Sequence, residues 1–203
     1  MPKKPATMTK ARIVDAAFAT VREVGYGGAS ARAIATRGGF NQALIFYHFG
    51  GTDEALLAAL DRSTEERLAR YRECMDGVQA PPSMVEAART LFKEDFDSGH
   101  VKLLAELVAA GASNPELGKQ VALRVAPSLA FSQETFERVM AGSPLAMLVA
   151  SKDAAYALSA LYLGMELLAN LEGSLDASDA LFAAAGRVAS LLSLIMPATG
   201  EKT

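Results

Sequence analysis

SARAIATRGGFNQALIFYHFGGTDEALLAAL, residues 30–60, decides how this chain is read. Ser30 is a good N-cap for a short helix in which Ile34 and Ala35 face inward. Gly38-Gly39 lets the chain turn sharply without Cβ clashes. Asn41 then caps a second short helix, expected to run to about His48. Its first turn is polar, and its last carries the aromatic cluster Phe46-Tyr47-His48-Phe49. A helix of that size and polarity is a poor core helix. It suits a DNA groove, where its first turn can meet base edges and its last can grip a phosphate. Gly50-Gly51 breaks the chain again, and Thr52 is expected to cap a longer helix, about 52–75.

Outward from this stretch the chain reads as all-α. Ala and Leu dominate, and no sustained period-2 alternation of β-branched residues survives inspection. A first helix spans about Thr9 to Val24, with Ile13, Ala17, Val21 and Val24 on one stripe and Gly25 at the left-handed cap. The fourth helix turns strongly polar in its second half, as a connecting helix with much of its surface in water would. Pro81-Pro82 marks a boundary, and Ser83 with Glu86 forms a capping-box pattern for a fifth helix, about 84–97. A sixth, about 100–111, should end at Gly111; Asn114-Pro115 opens a seventh, which Pro127 breaks or kinks before it resumes to about Met140. Gly142-Ser143-Pro144 is a loop. Ser151 and Asp176 are expected to cap the eighth (152–172) and ninth (177–196) helices, the last stopped by Pro197. The division by role is therefore a three-helix head, residues 1–51, and a helical domain, residues 52–203, with the fourth helix connecting them.

Composition narrows the function. The single cysteine, Cys74, excludes an internal disulfide and fits a reducing compartment, so the cytoplasm is expected. The apolar segment Ala154–Leu171 carries Ser159, Gly164, Glu166 and Asn170, which makes it a poor membrane span and a better buried bundle helix; no membrane partner is expected. Net charge is −3, but residues 1–50 hold seven basic and two acidic residues, a net of +5, against −8 for the remainder. A basic head on an acidic body points to a polyanion at one end. Chance asymmetry of solvated faces would give the same count, so the motif has to decide.

The motif resembles the helix-turn-helix head of the TetR/AcrR family of bacterial transcription factors. The likeness covers about residues 10–62 and rests on Ile13-x-x-Ala16-Ala17, Gly25-Tyr26, Ser30-x-Arg32-x-Ile34-Ala35, Gly39-Phe40-Asn41, Ile45-Phe46-Tyr47-His48-Phe49 and Leu56. The resemblance implies a homodimer, paired through the last two helices, that binds a palindromic operator on double-stranded DNA and is released by a small apolar effector. It implies no catalytic residue, metal or cofactor. Ser30, Arg32, Asn41, Gln42, Ala43, Tyr47, His48, Thr52 and Lys10 are the expected DNA contacts. An Arg32 fork matches guanine, an Asn or Gln amide matches adenine, and Ala43 can pack on a thymine methyl. Lys3, Lys4 and Lys10 could form a basic arm that adds affinity without sequence choice. Two positions depart from the family. Phe46 stands where Tyr is common, which suggests a core anchor, and Thr52 stands where Lys is frequent.

In the helical domain Phe92, Phe96, His100, Leu103, Leu107, Phe131, Tyr156, Tyr162 and Glu166 are the candidate ligand residues. Taken singly, aromatic residues at helical spacing are more often plain core. His100, Glu106, Tyr156, Glu166 and Asn170 are the polar groups that could orient a ligand. Glu166 lies in the run YLGMELLANL, where a buried carboxylate must be paired or protonated. Two rivals remain at this point: a helical enzyme using carboxylates such as Glu106 and Glu166, and a ligand-binding protein with a non-functional head. The two histidines, far apart in sequence, and the missing phosphate-loop signature weigh against the first.

Overall fold

A computed structural model describes residues 5–141 and 148–195. Lys3, Lys4, the loop at 142–144 and Pro197 lie outside the described residues. The chain is all-α: α1 (Pro5–Gly28), α2 (Ala31–Gly38), α3 (Ala43–Phe49), α4 (Thr52–Met75), α5 (Pro81–Ser98), α6 (His100–Ser113), α7 (Pro115–Met140), α8 (Ser151–Glu172) and α9 (Asp176–Ile195) are the helices among the described residues.

Packing divides these helices into two compact units, a division by contact rather than by role. The first comprises residues 1–66 and 99–125, the second residues 67–98 and 126–203. In the first unit Ile13, Ala17 and Val21 form the inward stripe of α1 and are fully buried. Ile34 of α2, Ile45 of α3, Leu56 and Leu60 of α4, and Leu103 and Leu107 of α6 complete its core. Burying one such side chain contributes roughly 1.5–3 kcal/mol. Val24, expected on the same stripe, is half exposed, because the helix breaks beside it: Gly25 has φ 72 and ψ 177. α6 fastens this break. Glu106 accepts the Tyr26 N–H at 2.8 Å, and Lys102 donates to the Arg22 carbonyl at 2.6 Å. Residues four apart on one helix face thus satisfy two backbone groups that the break leaves open. Glu106, a candidate polar orienter in the sequence, is thus engaged as an internal cap.

Several helix ends differ from expectation for local reasons. α5 starts at Pro81, using proline's fixed φ at the first helical position, so Ser83 is already inside the helix. Gly111 does not end α6. A Cβ there would lie 2.8 Å from the Gly118 Cα, so the pair of glycines allows α6 and α7 to approach backbone to backbone. Asn114 caps α7 as expected, accepting the Leu117 N–H at 3.3 Å, and Pro127 is accommodated inside that helix. Ser151 is the first residue of α8 rather than its cap, and its hydroxyl donates to Glu137.

The second unit is built on Phe92 of α5, Ala169 of α8 and Phe182 of α9, with Phe96, Tyr162 and Met165 against them. The aromatic rings meet edge to face, Phe92 at 5.3 Å from both Tyr162 and Phe182. α8 is not the buried helix the sequence suggested. α8 and α9 are each long and apolar enough to cross a membrane, yet only 17% of either apolar window is buried. Leu161, Leu168 and Leu171 on α8, and Leu181, Val188 and Leu191 on α9, stand exposed at spacings of seven and three.

Candidate nucleic-acid interface

The α2–α3 corner is held by backbone chemistry. Ser30 caps α2, its hydroxyl accepting the Ala33 N–H at 3.2 Å. Gly39 closes the helix in the left-handed region at φ 65, and the Phe40 N–H reaches back to the Ala35 carbonyl at 3.1 Å. Arg12 of α1 donates to the Gly38 and Gly39 carbonyls at 3.0 and 3.3 Å, filling acceptors the helix end leaves open. Gly38 is needed for a different reason. A Cβ there would lie 2.9 Å from Ala16 Cβ and overlap the Phe40 ring. Gly38→Ala is therefore expected to cost about 1–3 kcal/mol of stability by chemical denaturation, as overpacked sites do.

α3 is anchored by Ile45, which is fully buried. α3 starts at Ala43, one residue later than an Asn41 cap implies, because Asn41 Oδ1 accepts the Ala43 N–H at 2.9 Å in a local turn. That bond engages the Asn41 acceptor. Gln42 is exposed and makes no side-chain cap, so its amide presents both donor and acceptor outward. Ala43 is exposed beside it. Tyr47 is 81% exposed, which excludes a core role in the protomer, and its ring meets that of His48 edge to face at 4.8 Å. Phe46, expected as a core anchor, is instead 53% exposed; the inward position of this short helix belongs to Ile45. Thr52 is the first residue of α4 rather than its cap: the Gly51 carbonyl accepts the Ala55 N–H at 3.3 Å.

The charge count of the head overstates what is available to a polyanion. Arg12 is engaged with the turn, Arg37 pairs with Glu23, and Arg22 stacks on Phe18 at 5.8 Å. Among the described residues Arg32 and Lys10 are exposed and make no ion pair. Lys10 lies 6.0 Å from the Phe49 ring, at the C-terminal end of α3. The surface around α3 thus offers Gln42 at one end, Tyr47, His48 and Lys10 at the other, and Arg32 on α2. Asp15 pairs with Arg62 at 2.7 Å, and Tyr26 donates to Asp53 at 2.9 Å, tying α4 to the head.

The candidate ligand residues fall into two groups. His100, Leu103 and Leu107 are buried in the first unit, with His100 Nδ1 2.9 Å from Ser63 Oγ. Phe92, Phe96, Phe131, Tyr162 and Glu166 are in the second, and Tyr156 is exposed on α8. Sequence reasoning missed the partners of Glu166. Arg67 donates from Nε to Asp95 at 2.7 Å and from Nη2 to Glu166 at 2.8 Å. Tyr71 donates to Asp95 and accepts from the Tyr162 hydroxyl at 3.0 Å, and Arg70 adds a bond to Asp95 at 3.1 Å. The one signal for Arg67 was a cation in the polar half of a helix expected to have much of its surface in water.

Residues 13–60 match the family described as bacterial regulatory proteins, tetR family. The chain is 31% identical over 112 residues to the HTH-type transcriptional regulator UidR of Escherichia coli (strain K12), 55% of this chain and 56% of that protein. It is 28% identical over 128 residues to the HTH-type transcriptional regulator BetI of Stenotrophomonas maltophilia, 59% of this chain and 63% of that one. The chain thus spans less than two thirds of the length of these curated relatives. Among solved structures, Salmonella enterica GusR superposes with TM-score 0.73 over 97% of this chain and 99% of its own, at 21% identity. A TetR-family member from Streptomyces coelicolor A3 superposes with TM-score 0.67 over 93% and 98%, at 25% identity.

Proposed function

From a chain that its residues 13–60 place in the TetR family of bacterial regulatory proteins, we infer a homodimeric, ligand-responsive repressor acting in the cytoplasm. The observation that carries the reading is α3 itself: one buried anchor, Ile45, with Gln42, Ala43 and Tyr47 all exposed. Ser30, Arg32, Asn41, Gln42, Ala43, Tyr47, His48, Thr52 and Lys10 form the proposed contact surface. Gln42 and Arg32 read base edges, while Tyr47, His48 and Lys10 take the phosphates. Ser30 acts mainly as a cap and Asn41 as the turn before α3, and Thr52 offers a hydroxyl without charge.

Two copies supply two recognition helices about 34–36 Å apart, which calls for a near-palindromic operator. The exposed apolar stripes of α8 and α9 are the proposed dimer surface. Gly164 and Gly186 support it, because a Cβ at either would meet nothing within 4 Å of its own chain. A small, largely apolar effector is proposed to bind in the helical domain, residues 52–203. It acts only through preferring one of two conformations, and DNA and effector must weaken each other reciprocally.

The test is a titration of the chain against DNA from upstream of its own gene and against scrambled DNA of equal length. The wild type should prefer the former. Arg32→Ala should lose about 1–3 kcal/mol of that preference. Equal wild-type binding to both duplexes would sink the assignment.

A further inference from the structure

The second compact unit carries a cluster that the DNA-binding role does not use. Asp95 is fully buried and Glu166 is 1% exposed. The two carboxyls share one buried cation, Arg67, whose fork gives one nitrogen to each. Their other partners are unequal. Asp95 accepts from Arg67, Arg70 and Tyr71, three donors that suit a carboxylate. Glu166 accepts only from Arg67, and its Oε2 is buried with no hydrogen-bond partner among the described residues. A bare carboxylate oxygen in that position is costly. A carboxylic acid is not, because a proton on Oε2 removes the charge and lets Glu166 donate to the neighbouring Asp95.

We propose that Arg67, Asp95 and Glu166 form a proton-binding centre, with the proton held on Glu166, and that its release loosens the packing of α8 against α4 and α5.

Every element around Glu166 fits this assignment. α4 presents Arg67 and Tyr71, with Arg70 reaching Asp95 from the half-exposed side. α5 presents Asp95, while its Glu94 points out to Arg70 at 3.7 Å. α8 itself adds Tyr162, and the Asn170 amide is occupied by the Glu166 backbone carbonyl at 2.9 Å. α9 brings Asp179, which is engaged with Arg89 and Lys93 instead. Burial is the largest influence on Glu166 and raises its proton affinity; Arg67 opposes this, and the adjoining Asp95 adds to it, leaving the group at about 8. Burial also pushes the Tyr71 and Tyr162 hydroxyls up, so both remain neutral donors. The sign follows from linkage. A carboxyl that binds its proton more tightly folded than unfolded stabilises fully below the ordinary carboxylate range and loses that contribution as pH rises through its folded value.

The centre is independent of the DNA-binding reading and is tested on the full chain alone. Thermal unfolding from about pH 6 to about pH 9 should show the wild-type midpoint falling by several degrees more than that of Glu166→Gln, which keeps the shape and cannot ionise. Parallel profiles for the two proteins would overturn the proposal. If the variant does not fold, carboxyl-carbon NMR of glutamate-labelled wild type decides. One glutamate should titrate far above the rest, and titration of every glutamate in the ordinary carboxylate range would overturn the proposal.

Discussion

Arg67→Ala is expected to destabilise the protein by about 3–5 kcal/mol, the usual consequence of stripping one partner from a buried ion cluster. The side chain is 10% exposed and bridges α4 to both Asp95 on α5 and Glu166 on α8. Without it two carboxyls face each other in a closed space, and the volume of the guanidinium stem is left empty. Arg67→Lys should recover little, because a single ammonium cannot serve two carboxyls in a fixed fork. Arg70→Ala is the control. That side chain is 40% exposed, so its loss should cost at most about 1 kcal/mol. Urea denaturation measures all three. A loss below about 1 kcal/mol for Arg67→Ala would mean that the cluster does not hold these helices together.

The second large effect concerns association. Placing glutamate at both Leu168 and Leu191 should yield a folded monomer whose operator affinity is down by about 10²–10⁴-fold, since a protein with one head forfeits the effective concentration that linkage provides. Both residues are exposed on the protomer, at 58% and 66%, so the substitutions leave its own core untouched. Sedimentation reads the assembly state, and the same sample titrated with operator DNA reads the affinity. A variant that still sediments as a dimer would move the proposed interface elsewhere.

The head was legible in the sequence because its constraints are local. Gly39, Ser30 and Asn41 act within a few residues of themselves, and the inward stripe of α1 shows helical spacing; the demand of Ala16 on Gly38 lies beyond that range. What periodicity cannot convey is how a stripe ends. Val24 and Phe46 continue apolar patterns but sit beside a helix break and on a seven-residue helix, where one inward position is all the geometry allows. The Glu166 centre was half legible. A glutamate in an apolar run demands a partner, but Arg67 and Asp95 lie 99 and 71 positions away, on helices whose charges looked like ordinary solvated faces. α8 misled in the opposite direction. Its hydrophobicity suggested burial within one chain, whereas much of that apolar surface is left outward.

The turn at Asn41 limits how this molecule can be re-addressed. With one amide oxygen consumed in shaping the entrance to α3, the neighbouring Gln42 is the amide left open for the base contacts proposed above. If the proposed contact surface holds, exchanging Gln42 should change the DNA sequence preferred while leaving the scaffold intact, whereas exchanging Asn41 should also disturb the turn that opens α3.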